Sequence, residues 1–121
     1  MPIKHILVIE DSATQRTYLQ QLLVKNNFEV SLASSGEEGI EKAKAVKPDL
    51  ILIDVVMPGM NGFQATRLLS RDPETKHVPI IICTSKGQET DRLWGLRQGA
   101  RDYLVKPIAD GVLLNKITAL G

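Results

Sequence analysis

Polar and ionisable residues follow several short apolar runs of the sequence, at the point where each run ends. Glu10 and Asp11 follow the first run, Asp54 the third, Thr84 the fourth and Lys106 the fifth. Three carboxylates in one crevice repel one another unless a cation lies between them. Mg²⁺ prefers a few carboxylates together with water and phosphate oxygens, and a lysine charge and a hydroxyl suit phosphoryl oxygens. These residue types predict a magnesium-dependent phosphoryl-transfer site with a carboxylate nucleophile.

The apolar runs themselves predict five β-strands, because each is short and rich in Ile, Val and Leu. They lie at His5–Ile9, Phe28–Leu32, Leu50–Ile53, Val78–Cys83 and Asp102–Val105. Segments with helical spacing between them predict helices at about 14–25, 36–46, 62–71, 89–98 and 110–120. Strands that alternate with helices predict a doubly wound parallel α/β sheet. The carboxyl ends of such strands meet at one edge, where ligands bind, so we expect the polar residues to converge there.

Several residues mark the predicted ends of the helices. Ser12 with Gln15, and Ser35 with Glu38, have the spacing of a capping box, in which the two side chains satisfy each other's backbone N–H groups. Gly99 follows the fourth predicted helix and suits the position after a helix end. These signals support the predicted order of strands and helices.

Other side chains are assigned to packing or left open. Apolar spacing in the first helix predicts a buried stripe of Tyr18, Leu19, Leu22 and Leu23. Cys83, the one cysteine, is expected to be a small buried apolar residue. His5 and His77 have no spacing that suggests a metal site. For Leu93 and Trp94 on the fourth helix, the sequence leaves a core position and a partner surface equally open.

Length and charge narrow the classes of protein that the chain can represent. The chain has 121 residues, which fits one domain, so we expect residues 1–121 to form a single domain with no output domain. Fifteen Lys+Arg against fourteen Asp+Glu argue against nucleic-acid binding driven by bulk charge. No apolar stretch approaches the roughly 20 residues of a membrane span, and no secretion signal is visible. We therefore expect a cytoplasmic protein with no nucleic-acid partner and no membrane insertion.

Four motifs of the sequence resemble the signature of bacterial two-component response-regulator receiver domains. They are Glu10–Ser12, Asp54–Gly62, Thr84–Ser85 and Lys106–Pro107. The resemblance covers essentially the whole chain and implies a flavodoxin-like fold with strand order 2-1-3-4-5 and five helices. It also implies a signalling protein that catalyses only its own phosphorylation and dephosphorylation. Glu10 stands where Asp is commoner, which keeps the charge and lengthens the reach of the side chain. Ser85 stands where the smaller Ala is frequent, so access to the phosphoryl group can differ there.

The resemblance implies a role for each residue around the phosphoryl group and the metal. Asp54 would accept a phosphoryl group from a histidine kinase or its phosphotransfer domain. Asp11 would bind Mg²⁺ directly and Glu10 through water, and Asp54 with the backbone carbonyl of Val56 would complete the protein's share. Mn²⁺ is expected to be able to substitute for Mg²⁺ at this site.

The resemblance also implies how the phosphoryl group is held and how the signal leaves the site. Lys106 and Thr84 would bind the phosphoryl oxygens, Tyr103 matches an aromatic switch position, and Pro107 would follow a cis peptide bond, which X-Pro bonds permit. The fourth helix, fifth strand and fifth helix, at about 89–120, would then form the face that meets an output protein.

Alternative functions fit the sequence less well. A phosphatase of the haloacid-dehalogenase type needs a second acid two residues after the nucleophile, where this chain has Val56. A nucleotide-binding turn after the first strand should be rich in glycine, whereas here it is Glu10–Ser12. A phosphate sink or relay without an output of its own stays open. The stretches Asn61–Arg67 and Gln98–Leu104 resemble stand-alone receivers of chemosensory systems that control type IV pili and twitching motility.

Overall fold

The computed structural model describes residues 2–121, which form one parallel sheet with helices on both faces. The strands are β1 His5–Ile9, β2 Glu29–Ala33, β3 Leu50–Ile53, β4 Ile80–Thr84 and β5 Asp102–Val105. The helices are α1 Ala13–Lys25, α2 Gly36–Val46, α3 Gly62–Arg71, α4 Glu89–Arg97 and α5 Asp110–Leu120. The strand order β2-β1-β3-β4-β5, parallel throughout, confirms the predicted flavodoxin-like fold.

Two strands begin later than predicted, for reasons that lie in the backbone. Strand β2 begins after Phe28 because the N–H of Phe28 donates to the carbonyl of Leu23 and so satisfies the end of α1 instead of the sheet. Strand β4 begins at Ile80, two residues after the predicted start, because Pro79 has no N–H to give to a neighbouring strand. Helix α4 ends at Arg97, one residue before the predicted end.

The core has two layers, one on each face of the sheet. Leu7 and Ile9 of β1 belong to the layer under α2, α3 and α4, whereas Ile6 and Val8 belong to the layer under α1 and α5. Successive strand residues point to opposite faces, and here both faces are covered. This explains why the central strands are apolar throughout and leaves the strand ends as the place for polar side chains.

The predicted helix caps are present, but the two capping boxes are incomplete. The hydroxyl oxygens of Ser12 and Ser35 accept the N–H groups of Gln15 and Glu38, at 3.3 and 3.1 Å. The return bonds are absent, because Gln15 contacts the ammonium of Lys106 and Glu38 accepts a backbone N–H next to Ser35. Each serine therefore caps its helix, while the side chain of its predicted partner forms a hydrogen bond with a different group.

One complete capping box occurs where it was not predicted. Asn61 and Gln64 at the start of α3 each accept the backbone N–H of the other, at 2.9 and 3.0 Å. Gly99 has φ +115°, as the predicted residue after α4 requires. Local hydrogen bonds therefore fix the start of α3, after the segment that follows β3, and the end of α4.

The predicted stripe of α1 is wrong at Tyr18. This residue is about half exposed, and its hydroxyl donates to the carboxylate of Asp110 at the start of α5. Leu23 is fully buried, while Leu19 and Leu22 are partly buried. The polar end of the tyrosine ring favours a hydrogen bond at the surface between the two helices over burial under α1.

The structure gives clear positions for three side chains considered in the sequence analysis: Leu93, Trp94 and Cys83. Leu93 and Trp94 on α4 are 48% and 49% exposed, so both belong to the surface. Cys83 is buried as predicted, and that burial raises the pKa of its thiol to about 12. Within residues 2–121, no helix is both long and apolar enough to cross a bilayer.

A buried threonine on α3 generates a stability prediction. Within the described residues 2–121, the hydroxyl of Thr66 has no hydrogen-bond partner, whereas the equally buried hydroxyl of Thr75 donates to the carbonyl of Leu69 at 2.7 Å. Thr66→Val should therefore raise the free energy of unfolding by about 1 kcal/mol, and Thr75→Val should lower it by about 1 kcal/mol. Urea unfolding measures both, and equal losses in the two variants would contradict the difference in their hydrogen bonding.

Candidate functional site

The first turn after β1 and the end of β3 bring three carboxylates together. β1 and β3 are neighbours, and the N–H of Asp54 donates to the carbonyl of Ile9 at 3.1 Å. Glu10 and Asp11 follow Ile9 directly, so their side chains emerge beside Asp54. One carboxylate oxygen from each of Glu10, Asp11 and Asp54 lies within 4.8 Å of the other two. The predicted convergence at the carboxyl edge of the sheet is therefore present.

Glu10 is almost completely buried, with 2% of its surface exposed. Its Oε2 accepts the N–H of Ser12 at 3.0 Å, and its Oε1 accepts a hydrogen bond from Nζ of Lys106 at 2.8 Å. Burial, together with the negative charge of Asp54, raises the pKa of the Glu10 carboxyl against the lowering effect of these two partners. A buried carboxyl with a raised pKa gains from a further positive charge beside it.

Asp54 is 9% exposed, and both of its oxygens have donors. Oδ1 accepts the backbone N–H groups of Val55 and Val56, at 2.7 and 3.4 Å. Oδ2 faces Nζ of Lys106 at 3.2 Å. The carboxylate is therefore held in one orientation by the loop that follows it and by a charge from the turn after β5.

Lys106, the residue directly after β5, contacts both Glu10 and Asp54. Its backbone N–H donates to the carbonyl of Thr84 at 2.8 Å, and its Nζ reaches Glu10, Asp54 and the carboxamide oxygen of Gln15. Burial alone lowers the pKa of the ammonium, but the hydrogen bonds and charges of Glu10 and Asp54 outweigh burial and raise it. The side chain is therefore a fixed positive charge. The Lys106–Pro107 peptide bond is cis, as the family resemblance implies.

Thr84 and Tyr103 both meet the segment that follows β4. Thr84 is fully buried at the end of β4, and its hydroxyl accepts the N–H of Lys86 at 3.4 Å. Within residues 2–121, its hydroxyl makes no hydrogen bond to the side chain of Asp54 or Lys106. Tyr103 is buried, which raises the pKa of its phenol to about 12, and its hydroxyl donates to the carbonyl of Lys86 at 2.7 Å. The two predicted switch residues thus bind the backbone N–H and the backbone carbonyl of one residue, Lys86.

The loop between Asp54 and α3 folds back tightly on itself. The N–H of Gly62 donates to the carbonyl of Val55 at 2.9 Å. A Cβ atom at Gly62 would lie 2.1 Å from the carbonyl oxygen of Asp54, so only glycine allows α3 to begin this close to the end of β3. Val56 lies on this loop two residues after Asp54, with its side chain exposed.

The chemistry of this donor set fits a hard divalent cation. All three carboxylates offer oxygen ligands, which Mg²⁺ prefers. Three carboxylates against one ammonium leave a formal excess of two negative charges, which one divalent ion balances. Glu10, Asp11 and Asp54 are the side chains that could hold it.

Two residues at the site were not singled out as site residues from the sequence. Gln15 was predicted only as half of a capping box, yet its carboxamide contacts Lys106, 91 positions away. Nη1 of Arg16 donates to the backbone carbonyls of Glu10 and Asp11, at 2.8 and 3.2 Å. No local pattern indicates the Gln15 contact, because it depends on where the fold places the turn after β5 relative to α1. The contacts of Arg16 with the Glu10 and Asp11 carbonyls had one available signal in the sequence, namely that Arg16 lies one turn after the cap residue Ser12.

Comparison with known proteins agrees with this site and fold. Residues 6–118 match the model of the response regulator receiver domain. The protein PilH of Pseudomonas aeruginosa is 50% identical over 115 residues, which cover 95% of each chain. The chemotaxis protein CheY of Thermotoga maritima is 35% identical over 120 residues, covering 95% of this chain and 98% of that protein.

A solved structure supports the same assignment. The chemotaxis protein CheY4 of Vibrio cholerae superposes with a TM-score of 0.92 and 28% identity, and covers 98% of this chain and 99% of its own. The family match, the relatives of similar length and this superposition agree with the acidic edge of a 2-1-3-4-5 sheet. This chain therefore belongs to the family of response regulator receiver domains.

Proposed function

We propose that this protein is a phospho-accepting response regulator in which Asp54 takes a phosphoryl group from a phosphohistidine. The donor would be a histidine kinase or its phosphotransfer domain, and the reaction would depend on Mg²⁺, with Mn²⁺ as a substitute. The observation that carries the proposal is the cluster of Glu10, Asp11 and Asp54, with Lys106 bonded to the first and the last.

The chemistry at Asp54 is nucleophilic attack by the carboxylate on phosphorus. The N–P bond of the phosphohistidine breaks, an O–P bond to Asp54 forms, and the histidine leaves with its electron pair. The N–H groups of Val55 and Val56 hold Oδ1, which fixes the direction of the carboxylate. Lys106 lies 3.2 Å from Oδ2 and supplies positive charge where the phosphoryl oxygens would arrive.

A bound Mg²⁺ would neutralise charge that develops on the phosphoryl oxygens. Asp11 would hold it directly, Glu10 through water, and Asp54 and the backbone carbonyl of Val56 would complete the set. Glu10 is buried and already bonded to Ser12 and Lys106, which favours an outer role for it. Asp11 is exposed and free to turn towards the ion.

The signal is proposed to pass through Thr84 and Lys106 to Tyr103. Thr84 accepts the N–H of Lys86, and Tyr103 donates to its carbonyl. The Thr84 hydroxyl accepts in this contact, so its own O–H would be available to donate to a phosphoryl oxygen, a bond that the free state lacks. The phosphorylated and free states would therefore differ in their contacts. A ligand shifts a conformational equilibrium only through such a difference.

The output is proposed to leave through the face formed by α4, β5 and α5. Four large apolar side chains of this face are exposed: Leu93, Trp94, Val105 and Val112. Apolar residues at the surface favour a protein partner, and with it an effector role over a pure phosphate sink. We also propose a place in a chemosensory pathway that controls type IV pili and twitching motility, a proposal that the likeness to PilH supports. A cytoplasmic location without a nucleic-acid partner is part of the same proposal.

The acceptor is tested with acetyl phosphate as a small donor. Intact mass spectrometry should find one added phosphoryl group on the wild type and on Asp72→Asn, a control at the end of α3, but none on Asp54→Asn. The label on the wild type should be sensitive to hydroxylamine, because an acyl phosphate is expected. Equal labelling of Asp54→Asn and the wild type would show that another residue is the acceptor.

The metal is tested by the rate of phosphorylation at increasing Mg²⁺. Excess EDTA should abolish phosphorylation, and Mn²⁺ should restore it. Asp11→Ala should raise the Mg²⁺ concentration needed for half-maximal rate by roughly tenfold more than Glu10→Gln does, because a direct ligand is lost in one case and an outer one in the other. Phosphorylation at the full rate in EDTA would contradict the metal-dependent mechanism.

The switch is tested with Tyr103→Phe, which keeps the ring and removes only the bond to Lys86. One lost hydrogen bond of about 1 kcal/mol should speed amide exchange at residues 85–88 about fivefold in the unphosphorylated protein. Phosphorylation should then add a smaller change there than in the wild type. Tyr18→Phe, which removes a surface hydroxyl on α1, is the matched control. The same phosphorylation-dependent change in Tyr103→Phe and the wild type would exclude Tyr103 from the switch.

A further inference from the structure

Arg16 makes an unusual pair of contacts beside the acidic cluster. It lies at the end of the first turn of α1, is partly buried, and uses one nitrogen, Nη1, to donate to two successive backbone carbonyls. These carbonyls belong to Glu10 and Asp11, at 2.8 and 3.2 Å. The peptide units on both sides of the Asp11 Cα are therefore tied to one guanidinium group.

This matters for Asp11 because its own side chain is not held. Within residues 2–121, the Asp11 carboxylate makes no hydrogen bond, and the residue is exposed. Its direction can then be set only through its backbone. Fixing the peptide planes before and after Asp11 fixes the direction of its Cα–Cβ bond, and so the region that its carboxylate can reach.

Arg16 also reaches Glu10, through the peptide unit between Asp11 and Ser12. The carbonyl at one end of this unit accepts from Arg16, and the N–H at the other end donates to Oε2 of Glu10 at 3.0 Å. Hydrogen bonds in a chain polarise one another, so the charged donor strengthens the bond from Ser12 to the carboxylate. Lys106 holds the other oxygen of the same carboxylate.

We propose that Arg16 is a positioning residue that orients Glu10 and Asp11 for the binding of a divalent cation. The inference rests on the proposed function of these carboxylates, to which it adds a residue outside the motifs. Arg16 acts only through backbone carbonyls and touches neither the ion nor the phosphoryl group. Outer partners that orient metal ligands are commonly worth a factor of about ten to a hundred in metal affinity.

Because Arg16 is positively charged, a positioning role and a purely electrostatic role predict different effects of its removal on metal binding. A guanidinium group beside a cation site repels the cation. If Arg16 acted only as a charge, its removal would tighten metal binding. If it positions the carboxylates, its removal weakens metal binding, so the two explanations predict changes of opposite sign.

The test uses the affinity of the full chain for Mn²⁺, read from the loss of the free-ion signal in electron paramagnetic resonance. Arg16→Met keeps most of the side-chain stem and should weaken Mn²⁺ binding about tenfold. Arg16→Gln is a second neutral variant with the same expected loss. Arg97→Met, on the exposed last turn of α4 at the opposite edge of the sheet, removes a positive charge without these contacts and should leave the affinity within about twofold.

A metal-free readout separates this inference from the proposed function. In protein without metal, the amide of Ser12 should exchange about tenfold faster in Arg16→Met than in the wild type or Arg97→Met, because its bond to Glu10 loses support. Mn²⁺ binding by Arg16→Met and Arg16→Gln as tight as in the wild type, or tighter, would overturn the positioning role. Unchanged exchange at Ser12 would overturn it too. A wild type that binds no Mn²⁺, with faster exchange at Ser12 in the variant, would instead refute the metal site and leave the backbone role of Arg16 intact.

Discussion

The contact of the Lys106 ammonium with Glu10 and Asp54 is the interaction on which the site depends. Two carboxylates so deeply buried are costly unless positive charge lies beside them, and Lys106 supplies one charge at 2.8 and 3.2 Å. Asp11 adds a third carboxylate, so one ammonium is not enough to balance the cluster. The donor set therefore fits a divalent cation, and the proposed phosphoryl group would arrive where the positive charges meet.

The fold makes this arrangement possible by separating apolar from polar requirements. The strands are covered on both faces, so their side chains serve the two core layers, and chemistry is left to the residues just beyond their carboxyl ends. The close approach of α3 at Gly62 and the first turn of α1 then bring backbone and side-chain donors to that edge. Glycine and arginine thus contribute to the site without taking part in its chemistry.

Most of the fold and the grouping of the carboxylates could be predicted from the sequence, because both follow from local patterns. The strand ends that were misplaced, at Phe28 and Pro79, depend on where single N–H groups find partners. The exposure of Tyr18 and the contact of Gln15 with Lys106 depend on where the fold places α1 relative to the start of α5 and the turn after β5, and no spacing within α1 records that. Long-range side-chain pairs are therefore the part that the sequence leaves out.

The most direct measurement of the central claim is to locate the phosphoryl group in the wild-type chain after transfer from a phosphorylated histidine phosphotransfer domain. Borohydride reduction converts an aspartyl phosphate to homoserine, which peptide mass spectrometry can place in the sequence. The account predicts homoserine at position 54 alone, and only when Mg²⁺ or Mn²⁺ is present during transfer. Homoserine at another aspartate, or at position 54 to the same extent in excess EDTA, would contradict it.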